Sequence, residues 1–163
     1  MTSVPRTILS FGLLAILLAA LPSCSSAVKG EGGVVKKMKT YHLQPLERLV
    51  TRDPSIVFER AYHLHGAVTL AEQMERAGHY YTFFWKVNDR NQPVTVRFEY
   101  RQANTGLAVK LKEEQVSDVR RSNITKFTVT GPEYQADGPI TAWRLTLMSN
   151  GQELVHADSF LWK

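Results

Sequence analysis

The stretch "VTVRFEYR", residues 94–101, decides the architecture. Val94, Val96, Phe98 and Tyr100 alternate with Thr95, Arg97, Glu99 and Arg101. Successive side chains of an extended chain point to opposite faces, so this is a strand with one apolar and one wet face. Such strands belong to antiparallel sheets that pack one side on a core.

Working outward, the same period recurs. Tyr81, Phe83, Trp85 and Val87 alternate with Tyr80, Thr82, Phe84 and Lys86 upstream. Leu107, Val109 and Leu111, then Phe127 and Val129, then Trp143, Leu145 and Leu147 follow downstream. Turn chemistry separates the runs, at Asn88–Asn91, Asn104-Thr105-Gly106, Gly131-Pro132, Asp137-Gly138-Pro139 and Asn150-Gly151. Seven strands are expected, near 61–69, 79–88, 93–103, 107–115, 123–131, 140–149 and 152–162. Between the first two, "EQMERA" at 72–77 allows a helical turn.

This pattern predicts an all-β, antiparallel two-sheet sandwich over 61–163, and its strand order resembles the immunoglobulin and fibronectin type III sandwiches. The immunoglobulin cysteine pair is absent, since the chain has one cysteine. The alternative is a small eight-stranded barrel in which an N-terminal arm supplies a strand. That arm, 39–60, carries Pro45 and Pro54 and a short apolar stripe of Leu46, Leu49 and Val50. It is expected to pack irregularly on the domain, covering Tyr80 and Phe84 with Leu46, Leu49 and Ile56. Residues 24–38, "CSSAVKGEGGVVKKM", read as a flexible tether whose Lys29, Lys36 and Lys37, with Lys39 just beyond, are solvated.

The N-terminus gives an address. Arg6 precedes an uncharged run from Ile8 to Leu21, the pattern of a secretory signal peptide and too short for a comfortable membrane span. Leu21-Pro22-Ser23-Cys24 follows. It resembles the lipobox of bacterial lipoproteins, with Pro22 a less usual occupant of its position. The resemblance implies cleavage after residue 23, acylation of Cys24 and, with Ser25 next, sorting to the outer membrane. Lipidation would also remove the one thiol from an oxidising compartment. The closing Ser159-Phe160-Leu161-Trp162 is similar to the last strand of small envelope lipoproteins, a likeness that implies no activity.

Cutting 23 residues and Arg6 from the 163 leaves 140, with 19 basic residues against 15 acidic. That excess is too small and too scattered for a nucleic-acid surface. No Gly-rich phosphate loop and no G-x-S-x-G elbow occurs. His63 and His65 would share a strand face but lack the further ligands of a metal site, and Asn123-Ile124-Thr125 matches a glycosylation sequon without meaning in a bacterial chain. "HADS" at 156–159 does not make a triad, because His156 and Asp158 share one strand face and Ser159 takes the other. A three-residue loop pairing Met148 with Gln152 is expected. It would place Val155 beside Leu145, Ala157 beside Trp143 and His156 beside Arg144, with Ser159 and Leu161 inward and His156 and Asp158 in solvent.

The expected function is that of a non-enzymatic envelope lipoprotein, without cofactor or metal, serving as a protein-interaction or structural module. A small-ligand, carbohydrate-binding module is the alternative. The candidate ligand or partner face combines Tyr80 and Phe84 with Arg97 and Arg101.

Overall fold

The computed structural model describes residues 27–44, 51 and 53–163. Cys24 and the lipobox, and Leu46 and Leu49 of the arm, lie outside the described residues. Within them the chain forms β1 (Val28–Lys29), β2 (Gly33–Leu43), α1 (Pro54–Leu64), α2 (Leu70–Arg76), β3 (Gly78–Val87) and β4 (Val94–Gln102). It continues through β5 (Lys110–Val116), β6 (Asn123–Thr130), α3 (Gly131–Asp137), β7 (Ile140–Ser149) and β8 (Gln152–Asp158). One four-stranded sheet has the order β1-β2-β3-β6, the other β5-β4-β7-β8, and every pairing is antiparallel. This is the expected two-sheet sandwich. The cores of the two sheets, β2-β3-β6 and β5-β4-β7-β8, follow an immunoglobulin-like order in which β5 joins the second sheet as an extra edge strand.

Between the sheets Trp85, Phe83, Phe98, Tyr100, Leu145, Leu147, Val94 and Val96 are fully enclosed. Phe98 stacks on Phe127 at 5.2 Å between ring centroids and meets Tyr81 at 4.9 Å. The Trp85 indole N–H donates to Thr125 Oγ1 at 3.2 Å, which satisfies the one polar group that this side chain carries inward.

Three expectations fail. The tether is the first: residues 33–43 form a long strand paired to β3 from Gly33↔Val87 to Leu43↔Gly78. The period is hidden by a bulge, in which Lys36 is an extra residue between the pairs Val35↔Trp85 and Lys37↔Phe84. Val35 and Met38 therefore face the same core although three residues apart. The glycines upstream are close-packed and not flexible. A Cβ on Gly30 would stand 2.4 Å from the Leu154 carbonyl oxygen, and Gly32 N–H donates to that same oxygen at 3.1 Å.

The strand expected at 61–69 is the second. Pro54–Leu64 is a helix, started by Asp53, whose carboxylate accepts from Ser55 N–H, with Pro54 in the first turn. The carbonyls of His63 and of the residue that caps the helix, His65, accept from the Arg76 guanidinium on α2, which ties the two helices together. The helical turn expected at 72–77 is present as α2, with a full Thr69–Glu72 capping box.

The last hairpin is the third. Its turn has two residues, Asn150 at φ 51° and Gly151 at φ 77°, and Ser149 pairs with Gln152. A bulge at Leu154 then restores the phase, giving Leu147↔Val155, Leu145↔Ala157, Thr146↔His156 and Arg144↔Asp158. The faces are as expected although the register is not: Val155 and Ala157 are buried, His156 and Asp158 face outward. Ser159 Oγ accepts from Trp143 N–H at 2.9 Å, and the chain then turns away, leaving Leu161 63% exposed instead of inward.

Candidate functional site

The alternation of β3 sends Tyr81, Phe83, Trp85 and Val87 into the core and leaves Tyr80, Thr82, Phe84 and Lys86 on the outer face of the first sheet. Pairing extends that face sideways in rows. Tyr41, Tyr80 and Thr128 form one row, Lys39, Thr82 and Lys126 the next, and Lys37, Phe84 and Ile124 a third. Helix α1 stands over one side of this floor. Together they enclose an open groove of about 610 Å³ lined by Tyr41, Tyr80, Phe84 and Ile124 below and by Phe58, Tyr62 and His63 above.

The roof is held by ring contacts. The His63 imidazole lies 3.8 Å from Tyr80 and 5.1 Å from Tyr41 between centroids. Tyr80 in turn donates its hydroxyl to the Arg76 carbonyl at 2.7 Å. Burial lowers the His63 pKa, Glu59 at 3.6 Å works against that shift, and Lys126 adds to it. Phe58 and Tyr62 remain 66% and 58% exposed, with rings 6.2 Å apart, so the wall of the groove is apolar surface still in contact with water.

Tyr80 and Phe84 are thus in one site, and α1 covers Tyr80 through His63, where Ile56 was expected to reach; Ile56 is 41% exposed. Arg97 and Arg101 are not in that site. They lie on the outer face of the other sheet, because β4 turns its polar side away from β3. Arg97 Nε bonds Glu113 Oε1 at 2.7 Å. Arg101 lies 4.6 Å from the centre of the Trp162 ring, and Arg144 approaches the same ring at 5.7 Å. The expected aromatic-basic patch exists, but its cations are lysines of β2 and β6 and not arginines of β4. Sequence reasoning missed Tyr41, Lys37 and Lys39 because they were assigned to arm and tether. It missed the pairing of Phe58 with Tyr62 on one helix face because the first falls in the arm 39–60 and the second in the strand expected at 61–69.

A second cluster closes one end of the sandwich. His42 and His79 are a cross-strand pair whose rings stack at 4.0 Å, nearly parallel. Gln44 Nε2 donates to His42 Nδ1 at 3.1 Å, which leaves the other ring nitrogen to donate to the Tyr134 hydroxyl at 2.7 Å. His79 Nε2 is buried with no hydrogen-bond partner among the described residues. Burial and the adjacent His42 bring its pKa down to about 4. Nearby, Glu133 of α3 accepts from the Tyr100 hydroxyl at 2.6 Å and pairs with Lys110 and Lys112. That network fastens α3 to β4 and β5, and it pushes the Tyr100 pKa up through burial and Glu133.

His63 and His65 do not share a strand face, since α1 ends between them, and among the described residues no three His, Cys, Asp or Glu side chains converge on a metal position. Asn123, the first residue of β6, is buried and exchanges hydrogen bonds with the Arg120 main chain. His156 meets Glu153 at 2.5 Å and Asp158 holds Arg144 through two bonds of 2.8 and 2.9 Å. With Ser159 bound to the Trp143 main chain, "HADS" assembles no triad. Comparison of the chain with family models, with curated proteins and with solved structures finds no match.

Proposed function

We propose that the chain is an exported, lipid-anchored envelope protein, acylated at Cys24, that works as a non-catalytic binding module. The groove on the outer face of the first sheet is its binding site. The observation that carries this reading is the groove itself: about 610 Å³ between a sheet and a helix, predominantly aromatic, with lysines at its margin. Its volume lies in the range of ligand pockets, and its mix of apolar lining with a few polar groups is their usual chemistry. The lipobox supports the envelope location, most simply the outer membrane.

Two kinds of occupant compete, a saccharide and a segment of a partner protein. The floor of ring faces favours the first. The exposed apolar surface of α1, with Ile56, Val57, Phe58 and Tyr62, favours the second. Binding to a glycan array that disappears in Phe84→Ala supports a saccharide. A blank array, together with a crosslinked envelope complex that Phe84→Ala abolishes, assigns the groove to a protein partner.

A further inference from the structure

We propose that the groove takes an acidic glycan, whose ring faces stack on the aromatic side chains and whose acidic groups meet the lysines. This rests on the groove being the binding site and adds the chemistry of what enters it.

Charge on the two outer faces is distributed very differently. On the outer face of the second sheet Arg97 pairs with Glu113 and Arg144 with Asp158, while Arg101 lies over the Trp162 ring; Lys110 and Lys112, on the same side of their strand as Tyr100 and Phe98, pair with Glu133 and Asp137. On the first sheet Lys37, Lys39, Lys86 and Lys126 all point outward, and none has an acidic partner among the described residues. The strand spacing of about 4.8 Å puts the Lys39 and Lys126 backbones roughly 10 Å apart, on either side of Thr82. Phe84 lies on one side of that row and Tyr80 on the other. Glu59 is the one acidic residue lining the groove, against Lys39 and Lys126. Unneutralised cations around an apolar floor select a ligand that is negative at its edge and apolar on its faces.

The main chain narrows the class. β3, the middle of the floor, is paired on both sides, to β2 and β6. Its N–H and C=O groups are consumed, so an extended peptide lying along the middle of the floor would find no ladder to join, and only the outer edge of β6 stays open. Recognition falls to ring faces and ammonium tips. A pyranose chain bearing carboxylates, sulfates or phosphates presents C–H faces to the first and anions to the second. The helix roof matters too, because a flat anionic bilayer could reach the lysines but not the recessed Phe84.

The test is calorimetric titration of the full-chain protein at low salt with a short uronate oligomer, with its methyl ester, and with a sulfated oligosaccharide of similar length. At least one acidic probe should bind, about tenfold or more tighter than the ester, and lose affinity as salt rises. Lys39→Gln/Lys126→Gln should weaken it about tenfold, Phe84→Ala likewise, and Arg97→Gln on the opposite sheet should leave it unchanged. The lysines are exposed and unpaired, so the double variant should melt as the parent does; Lys37→Gln/Lys86→Gln provides an independent pair. If the ester binds as tightly and Phe84→Ala still weakens it, the acidic class falls while the groove stands. If no acidic probe binds, or binding survives both lysine pairs unchanged, the glycan inference is overturned. If an acidic probe, or an anionic vesicle, binds equally well to Phe84→Ala, the charges act without the groove, and both readings fall.

Discussion

The stacked imidazoles of His42 and His79 make the fold sensitive to acid. His79 is held neutral: its pKa is about 4 in the fold, against about 6.5 for an unperturbed histidine, because burial and the neighbouring His42 both penalise its charge. The unfolded chain therefore binds the proton more readily. Stability from this pair is complete above about pH 6.5, is lost as pH falls toward 4, and changes no further below that. His79 is not fully enclosed, so screening reduces the effect to about 2 kcal/mol. His63, lowered in the same direction, adds to it. Urea unfolding from pH 7 to 4 should show this loss, and His79→Phe should flatten the slope. Equal slopes in the two proteins would place the acid sensitivity elsewhere. At the same scale, Gly30 supports β1 and β2 by its lack of a side chain. Gly30→Ala forces a Cβ to within 2.4 Å of the Leu154 oxygen and should cost about 2 kcal/mol, whereas Glu31→Ala, on an exposed neighbour, should be nearly silent.

Among the elements, β2 carries the largest consequence. It buries Val35 and Leu43, together worth about 4 kcal/mol, and supplies the partner for the whole length of β3. A chain beginning at Tyr62 should therefore fail to fold or aggregate, with β3 left as a long open edge; cooperative melting unchanged from the full chain would contradict the register given for β2. Six strands, 79–88 through 152–162, are legible from their period of two, but in β5 the period misleads about the face: Lys110 and Lys112 pair with Tyr100 and Phe98 on the inward side, and Leu107, Val109 and Leu111 are exposed. β2 is not, since the bulge at Lys36 breaks that period and three lysines and a glycine give it the composition of a linker. Bulges also explain the last hairpin, where Leu154 shifts the pairing but returns Val155 and Ala157 to the core. Burial faces are dictated by hydrophobicity, whereas pairing depends on where one extra residue is absorbed. The candidate site was half legible for a related reason. Tyr80 and Phe84 stand out from their own strand, but their neighbours come from β2, β6 and α1, and only the sheet order says that β4 with Arg97 and Arg101 lies on the far side.

At the scale of the whole molecule, one outer face of the sandwich is open, aromatic and cationic, and the other is closed by ion pairs and by the C-terminal Trp162. Anchoring at Cys24, a few residues before β1, would hold this body close to a membrane, since two or three acyl chains at roughly 0.8 kcal/mol per buried CH2 retain a protein firmly. Metabolic labelling with a palmitate analogue should mark the wild-type protein and not Cys24→Ser; a wild-type protein without label would remove the anchor from the account and leave the groove untouched. On the proposed reading, the outer face of the first sheet is where this protein meets its ligand. The most direct test is photo-crosslinking in living cells with a benzophenone amino acid at Phe84 and, separately, at Glu99 on the opposite sheet. A discrete adduct should form from position 84, be lost when Lys39 and Lys126 are both glutamine, and be missing from position 99. A discrete adduct from position 99 with none from 84 would contradict that reading.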